Sequence, residues 1–198
     1  MSKINSLLAL LATSVMVAAP AFSQEDFKSE ITVQGMGSFL KETKQDGIKQ
    51  DASKTGGFLA GYRYYFTKHW GAEINYGLTL NTQRYFSSTA STGVKSYSHE
   101  TTGALVYRVP FKKFNVFALA GAGAIVFNPK DMRGIDYQAR AAFVYGGGVD
   151  YNLTHRLFLR GEYRGLVYNS PTYNIAGLAN ADRITHRAEP SMGLGFRF

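Results

Sequence analysis

The sequence predicts an all-β protein, an eight-stranded antiparallel transmembrane β-barrel preceded by a cleavable signal peptide. Three observations predict it. The chain opens on a positive, then apolar, then small-residue pattern; its later segments alternate apolar and polar residues with the charges on one face; and the connections between those segments alternate in length. Composition agrees, since 13 Tyr, 14 Phe and 21 Gly suit strands and close backbone approach better than helices.

Met1 to Lys3 supplies a positive n-region, Leu7 to Ala19 an apolar h-region, and Ala21-Phe22-Ser23 a small-x-small site before Gln24. Residues 1–23 are therefore expected to be a signal peptide and 24–198 the barrel, with Ala19-Pro20-Ala21 fitting as an alternative cleavage site. The apolar run is shorter than the roughly 20 residues that a spanning helix needs. At 198 residues, with no low-complexity block, the length favours one domain. Cysteine is absent, so the chain carries neither a disulfide framework nor a thiolate metal site.

No other stretch approaches a spanning helix. Entry into a membrane therefore requires a closed sheet, in which every backbone polar group is paired. Reading the chain in order, Ile31 to Leu40 gives a first weak alternation. Gly57 to Phe66 gives a second, with Phe58, Ala60, Tyr62, Tyr64 and Phe66 opposite Arg63. From Ala72 the alternation is strict, Ala72, Ile74, Tyr76, Leu78 and Leu80 facing away from Glu73, Asn75, Gly77, Thr79 and Asn81. Thr101 to Val109 is a fourth segment. Val116 to Phe127 is apolar on both faces, so its orientation stays open. In the sixth segment, Ala141, Phe143, Tyr145, Gly147, Val149 and Tyr151 oppose Arg140, Ala142, Gly146, Gly148 and Asp150. From Leu157, Arg160, Glu162 and Arg164 share one face, and Ala188 to Phe198 completes the set. Stretches 41–56, 84–98, 128–138 and 169–187 read as long polar loops. Thr67 to His69, Pro110 to Phe114 and Asn152 to His155 read as tight turns. Long loops outside and short turns in the periplasm follow the rule for bacterial outer-membrane barrels, and an even strand count puts both termini on the periplasmic side.

From about Glu30 to Phe198 this chain resembles the small outer-membrane barrels of the OmpA/OmpX type, in the outer membrane protein beta-barrel domain family. The last eight residues carry the most specific likeness. Such barrels end in an assembly signal of the form polar-x-Gly-x-x-apolar-x-aromatic, and Ser191, Gly193, Phe196 and Phe198 fill those places. The resemblance implies that the barrel-assembly machinery recognises this strand. It also implies residence in the outer membrane among its lipids and lipopolysaccharide. Because the chain stops at the barrel, cell-wall tethering through a second, periplasmic domain is not implied.

An eight-stranded barrel is just wide enough for side chains to fill it, so lumen residues act as core. The face assignment sends Arg63, Glu73, Arg108, Arg140, Asp150, Arg160, Glu162, Arg164 and Arg197 inward, together with Glu100 and Glu189. Buried charges persist only when paired, which predicts an ionic network in the lumen. All its cations are Arg, whose planar fork satisfies several acceptors, whereas Lys falls in loops and turns. With the basic excess of +8 housed inside or in loops, a nucleic-acid partner is not expected. Tyr64, Phe66, Trp70, Tyr107, Phe127, Tyr151, Tyr168, Phe196 and Phe198 are expected to form aromatic girdles at the headgroup level. A soluble barrel would reverse this polarity.

The four histidines offer little chemistry. His69 and His155 fall at the short turns and His99 and His186 near the long loops, while Ser98, His99 and Glu100 are consecutive, so His99 points away from its neighbours on a regular strand. His and carboxylates show no metal-ligand spacing. Gly121-Ala122-Gly123 and Gly146-Gly147-Gly148 lack the strand-to-helix setting of a nucleotide loop. No cofactor, metal or catalytic residue is predicted. The expected function is that of a non-enzymatic integral outer-membrane protein supporting envelope integrity and displaying loops to a surface or host ligand. The alternatives are a narrow channel and a lipid A-modifying enzyme working through His99 or His186.

Overall fold

Alternating side chains leave each segment with one greasy and one polar face, and a closed ring satisfies both at once when lipid lies outside. The computed structural model describes residues 27–40, 43–45, 48–52, 55–86, 91–129, 138–169 and 184–198. The predicted signal peptide lies outside the described residues. The described residues form ten strands: β1 (Ser29–Leu40), β2 (Thr43–Gln45), β3 (Ile48–Ala52), β4 (Thr55–Tyr65), β5 (Trp70–Phe86), β6 (Ser91–Pro110), β7 (Phe114–Pro129), β8 (Gln138–Asn152), β9 (Leu157–Asn169) and β10 (Ile184–Arg197). Eight of them form the barrel in the cyclic order β1, β4, β5, β6, β7, β8, β9, β10, each antiparallel to its neighbours. β1 and β10 close the ring, with Glu30 opposite Arg197 and backbone bonds of 2.9 and 3.2 Å between Ser29 and Phe198. That ladder skips Gly37 and Ser38, which stand across from Pro190 and Glu189, because proline has no N–H to give.

The polarity is that of a protein turned inside out. Val33, Ile74 and Leu105 are 66%, 56% and 58% exposed, whereas Arg63, Arg160, Arg164 and Arg187 are exposed by no more than 1%. In water this would be untenable; in a bilayer it follows from burying charges where they have partners.

The loops predicted over 41–56, 84–98 and 169–187 are partly sheet. β5 and β6 continue their pairing to Phe86 and Ser91, β2 and β3 form a small hairpin hydrogen-bonded to the end of β5, and β10 begins at Ile184. Beyond the lipid belt both faces of a strand are wet, so alternation of hydrophobicity vanishes while hydrogen bonding continues. Two of the three short turns are built alike. Thr67 Oγ1 accepts bonds from the N–H groups of His69 and Trp70 at 3.3 and 2.9 Å, and Thr154 Oγ1 does the same for Arg156 and Leu157 at 3.2 and 2.9 Å. The third is a two-residue turn, Phe111 N–H donating to Phe114 O at 2.8 Å across Lys112 and Lys113.

Candidate functional site

The lumen holds the largest concentration of charge in the barrel wall, and its geometry decides what the protein can pass or bind. Near the short turns, Arg160 on β9 is the hub. Its Nε donates to Asp150 Oδ1 at 2.7 Å, its Nη2 to Asp150 Oδ2 and Glu30 Oε2 at 2.9 Å each, and its Nη1 lies 3.5 Å from Glu73 Oε2. One guanidinium thus ties three carboxylates from β8, β1 and β5. Arg63 is bonded to Glu73 on the neighbouring strand, and Arg197 Nε donates to Glu30 Oε1 at 2.9 Å across the seam. Arg108 Nη1 reaches the same oxygen at 3.4 Å from β6.

A second lattice lies toward the long loops. Arg164 Nη2 donates to Glu100 Oε1 at 2.6 Å and Thr102 Oγ1 at 3.1 Å. Arg187 is bonded to the other oxygen of Glu100 and lies 2.6 Å from Glu189 Oε1. Glu162 is held more loosely, 3.9 Å from Arg164. Arg140 is half-buried on β8, its Nη2 donating to Gln138 Oε1 at 3.4 Å. In a ring of eight, β9 faces β5 and β10 faces β6, so Arg160–Glu73 and Arg187–Glu100 span the full diameter. Side chains bonded across the diameter act as crossbars.

Apolar side chains fill what the ions leave. Phe117, Leu119, Ile125 and Phe127 of β7 point inward and pack with Ala104 and Val106 of β6, Ala142 and Val144 of β8, and Leu166 and Tyr168 of β9. This settles the orientation of β7 that the sequence left open. Its inward face is the bulky one, and Val116, Ala118, Ala120, Ala122 and Ala124 meet lipid. The two fillings touch where the guanidinium carbons of Arg63 and Arg160 lie 4.1 and 4.8 Å from the Phe117 ring centre. A Cβ at Gly121 would collide with the Gly103 carbonyl oxygen, so β6 and β7 approach closely only because that position is glycine.

Sequence reasoning did not place Glu30 or Arg187 in the network, though both are fully buried members of it. Arg187 had been read into the last loop. The signal was present: Thr185, Arg187, Glu189 and Ser191 continue the inward alternation of β10 past Ala188, and Glu30, Thr32 and Gln34 do so on β1. Two girdle assignments are corrected. Phe127 and Tyr168 are 1% and 4% exposed and belong to the lumen, because β7 turns its bulky face inward and β9 keeps Arg164, Leu166 and Tyr168 on one face. Tyr64, Phe66, Trp70, Tyr107, Tyr151, Phe196 and Phe198 do face outward near the short turns.

On the last strand, Ser191 is buried with Oγ 3.1 Å from Gln34 Oε1, a Cβ at Gly193 would collide with the Val33 carbonyl, and the exposed Phe196 and Phe198 rings stack at 6.5 Å. His99 and His186 sit on the lipid-facing wall, each within hydrogen-bond distance of a tyrosine, Tyr76 Oη to His99 Nδ1 at 2.7 Å and Tyr145 Oη to His186 Nε2 at 2.8 Å. Ser98 and Glu100 lie on the opposite, buried face. Among the described residues no group of His, Asp and Glu is arranged to hold a metal.

The family model described as the outer membrane protein beta-barrel domain matches residues 6–198. The chain belongs to this family. Its place is the outer membrane, and its fold is shared with solved barrels of low identity. Ail, the attachment invasion locus protein of Yersinia pestis, solved with the heparin analogue sucrose octasulfate, is 20% identical with a TM-score of 0.57, the match covering 88% of this chain and 100% of that one. OprG of Pseudomonas aeruginosa is 15% identical with a TM-score of 0.62, covering 86% and 96%. Neisserial surface protein A is 12% identical with a TM-score of 0.63, covering 86% and 97%. At these identities the likeness concerns the fold alone. No curated protein matches the chain.

Proposed function

We propose that this protein is a non-enzymatic integral outer-membrane barrel that reinforces the envelope and presents its long-loop end to ligands at the cell surface. The observation that carries the proposal is the pair of crossbars spanning the lumen, with the apolar filling beside them. A barrel so filled serves as a rigid post rather than a conduit. What extends beyond the post is the sheet arm of β2, β3 and the ends of β5 and β6. On that arm the register sets Lys44 opposite Lys49, Arg84 opposite Asp51 and Lys95 opposite Thr82, a cationic excess suited to anionic surface ligands. The Ail structure with sucrose octasulfate gives the same ligand chemistry a precedent on this fold. In this reading the short turns face the periplasm, lipopolysaccharide surrounds the opposite end, and the terminal Ser191, Gly193, Phe196 and Phe198 pattern is what the assembly machinery recognises.

The expected result is that the folded protein in detergent binds sucrose octasulfate by calorimetry, and that Lys44→Gln/Lys49→Gln/Lys95→Gln lowers the affinity at least tenfold. Absence of binding by the wild type rejects surface display to sulfated ligands. Planar bilayers are expected to show no stepwise conductance, and the lipid A mass profile of an expressing cell is expected to be unchanged. The arrangement of the Ser98–Glu100 segment supports the last expectation, because His99 is engaged by Tyr76 on the wall that Ser98 and Glu100 turn away from.

A further inference from the structure

All three short turns place two consecutive basic residues at the tip and an aromatic or aliphatic residue directly after: Lys68-His69 before Trp70, Lys112-Lys113 before Phe114, and His155-Arg156 before Leu157. Every one of these residues is exposed, and so is Lys28 beside the seam of β1 and β10. The β4–β5, β6–β7 and β8–β9 turns and the seam are spaced at every second strand around the ring, so the cations form a collar instead of a single patch. Among the described residues at this end no Asp or Glu side chain is exposed. Glu30, Glu73 and Asp150 lie at that height but point inward, bonded to Arg63, Arg108, Arg160 and Arg197. Glu25 and Asp26, which precede Phe27, lie outside the described residues.

Directly above the collar runs a band of outward rings, Tyr64, Phe66, Trp70, Tyr107, Tyr151 and Phe196, of the kind that rests at the headgroup level. Trp70 packs edge-on to Tyr107 with centroids 5.0 Å apart, and His69 stacks on the same Tyr107 at 5.9 Å. The aromatic band fixes depth, and that depth puts the turn-tip cations in the phosphate layer of the adjoining leaflet. Flexible Lys ammonium groups act there as point charges, and among the described residues no exposed Asp or Glu side chain at this end competes for them.

We propose that this collar selects anionic phospholipid headgroups in the leaflet next to the short turns. The inference is independent of the surface-ligand reading, which concerns the opposite end of the barrel.

The sole tryptophan of the chain, Trp70, stands in the aromatic band next to the collar and reports on it. The folded full barrel is reconstituted in phosphatidylcholine vesicles containing equal mole fractions of brominated phosphatidylglycerol or brominated phosphatidylcholine, and Trp70 quenching is compared. Brominated phosphatidylglycerol is expected to associate more strongly, by about fivefold for each cation it engages. The preference is expected to vanish in Lys68→Gln/Lys112→Gln/Lys113→Gln/Arg156→Gln and to persist in Lys44→Gln/Lys49→Gln/Lys95→Gln. Equal quenching by the two lipids in the wild type, or a preference that survives the collar variant, overturns the proposal. Folding of each variant is read from heat-modifiable gel migration. Should the fourfold variant fail to fold, wild-type quenching in molar salt replaces it, where screening over about 3 Å is expected to abolish the preference and its persistence counts against the collar.

Discussion

β1 and β7 stand four places apart in a ring of eight and so face each other across the lumen, yet they fill it in opposite ways. β1 turns inward Glu30, Thr32, Gln34, Met36 and Ser38; β7 turns inward Phe117, Leu119, Ile125 and Phe127, with Asn115 its one buried polar side chain. The ionic side ties strands together over long separations, because Glu30 alone is reached by arginines from β6, β9 and β10. The apolar side supplies volume and excludes water from those ion pairs, which strengthens them. Phe117 joins the two, as the surface on which Arg63 and Arg160 lie. A narrow barrel therefore needs both fillings: ions without the greasy wall would be solvated, and a greasy wall alone would leave strand register less strictly specified.

This comparison can be broken from either side. Arg160→Met has the largest expected effect. It strips a partner from Glu30, Glu73 and Asp150 at once and is expected to cost about 5 kcal/mol in urea unfolding from lipid vesicles. A loss below about 1 kcal/mol, the value of a solvated pair, would mean that the lattice is wet. Phe127→Ala tests the opposite wall, with an expected loss of about 4 kcal/mol from the cavity left beside Tyr168. A near-neutral result would place that ring in lipid, where the sequence alone had put it. Leu105→Arg, on the outer face of β6 one inward step from Tyr107 of the aromatic band, is expected to cost about 2 kcal/mol in the same assay, an unchanged stability being incompatible with contact to lipid tails. The smallest change belongs to the turns. Thr154→Ala removes the acceptor for two backbone N–H groups at a wet site, for about 1 kcal/mol, whereas a loss several times larger would show the turn to be part of the buried lattice.

Much of this architecture was legible in the sequence where physics repeats on a period of two. Ala72 to Leu80 and Leu157 to Arg164 each show lipid on one side and partners on the other, and the structure keeps those faces. Legibility failed where the pattern was uniform or where its cause ceased. β7 is apolar on both sides, so periodicity carried no information about which rings point inward, and Phe127 was assigned to the girdle. In the sheet arm beyond the belt the sequence shows no sustained apolar–polar alternation, and its strands were read as loops. Arg187 was misplaced for the related reason that a charged residue near a strand end resembles a loop residue until its partner is known.

The sequence by itself determined the class of the protein, because a run of alternating segments with arginine on the inner face admits few structures other than a closed barrel in lipid. It also determined the basic turn tips, which are local in the chain. Only the tertiary structure decided which arginine holds which carboxylate, that two of these pairs cross the full width of the lumen, and that β7 faces its bulk inward. Those facts depend on residues as far apart in sequence as Glu30 and Arg197, brought together by ring closure, and no local pattern encodes a distance across a barrel.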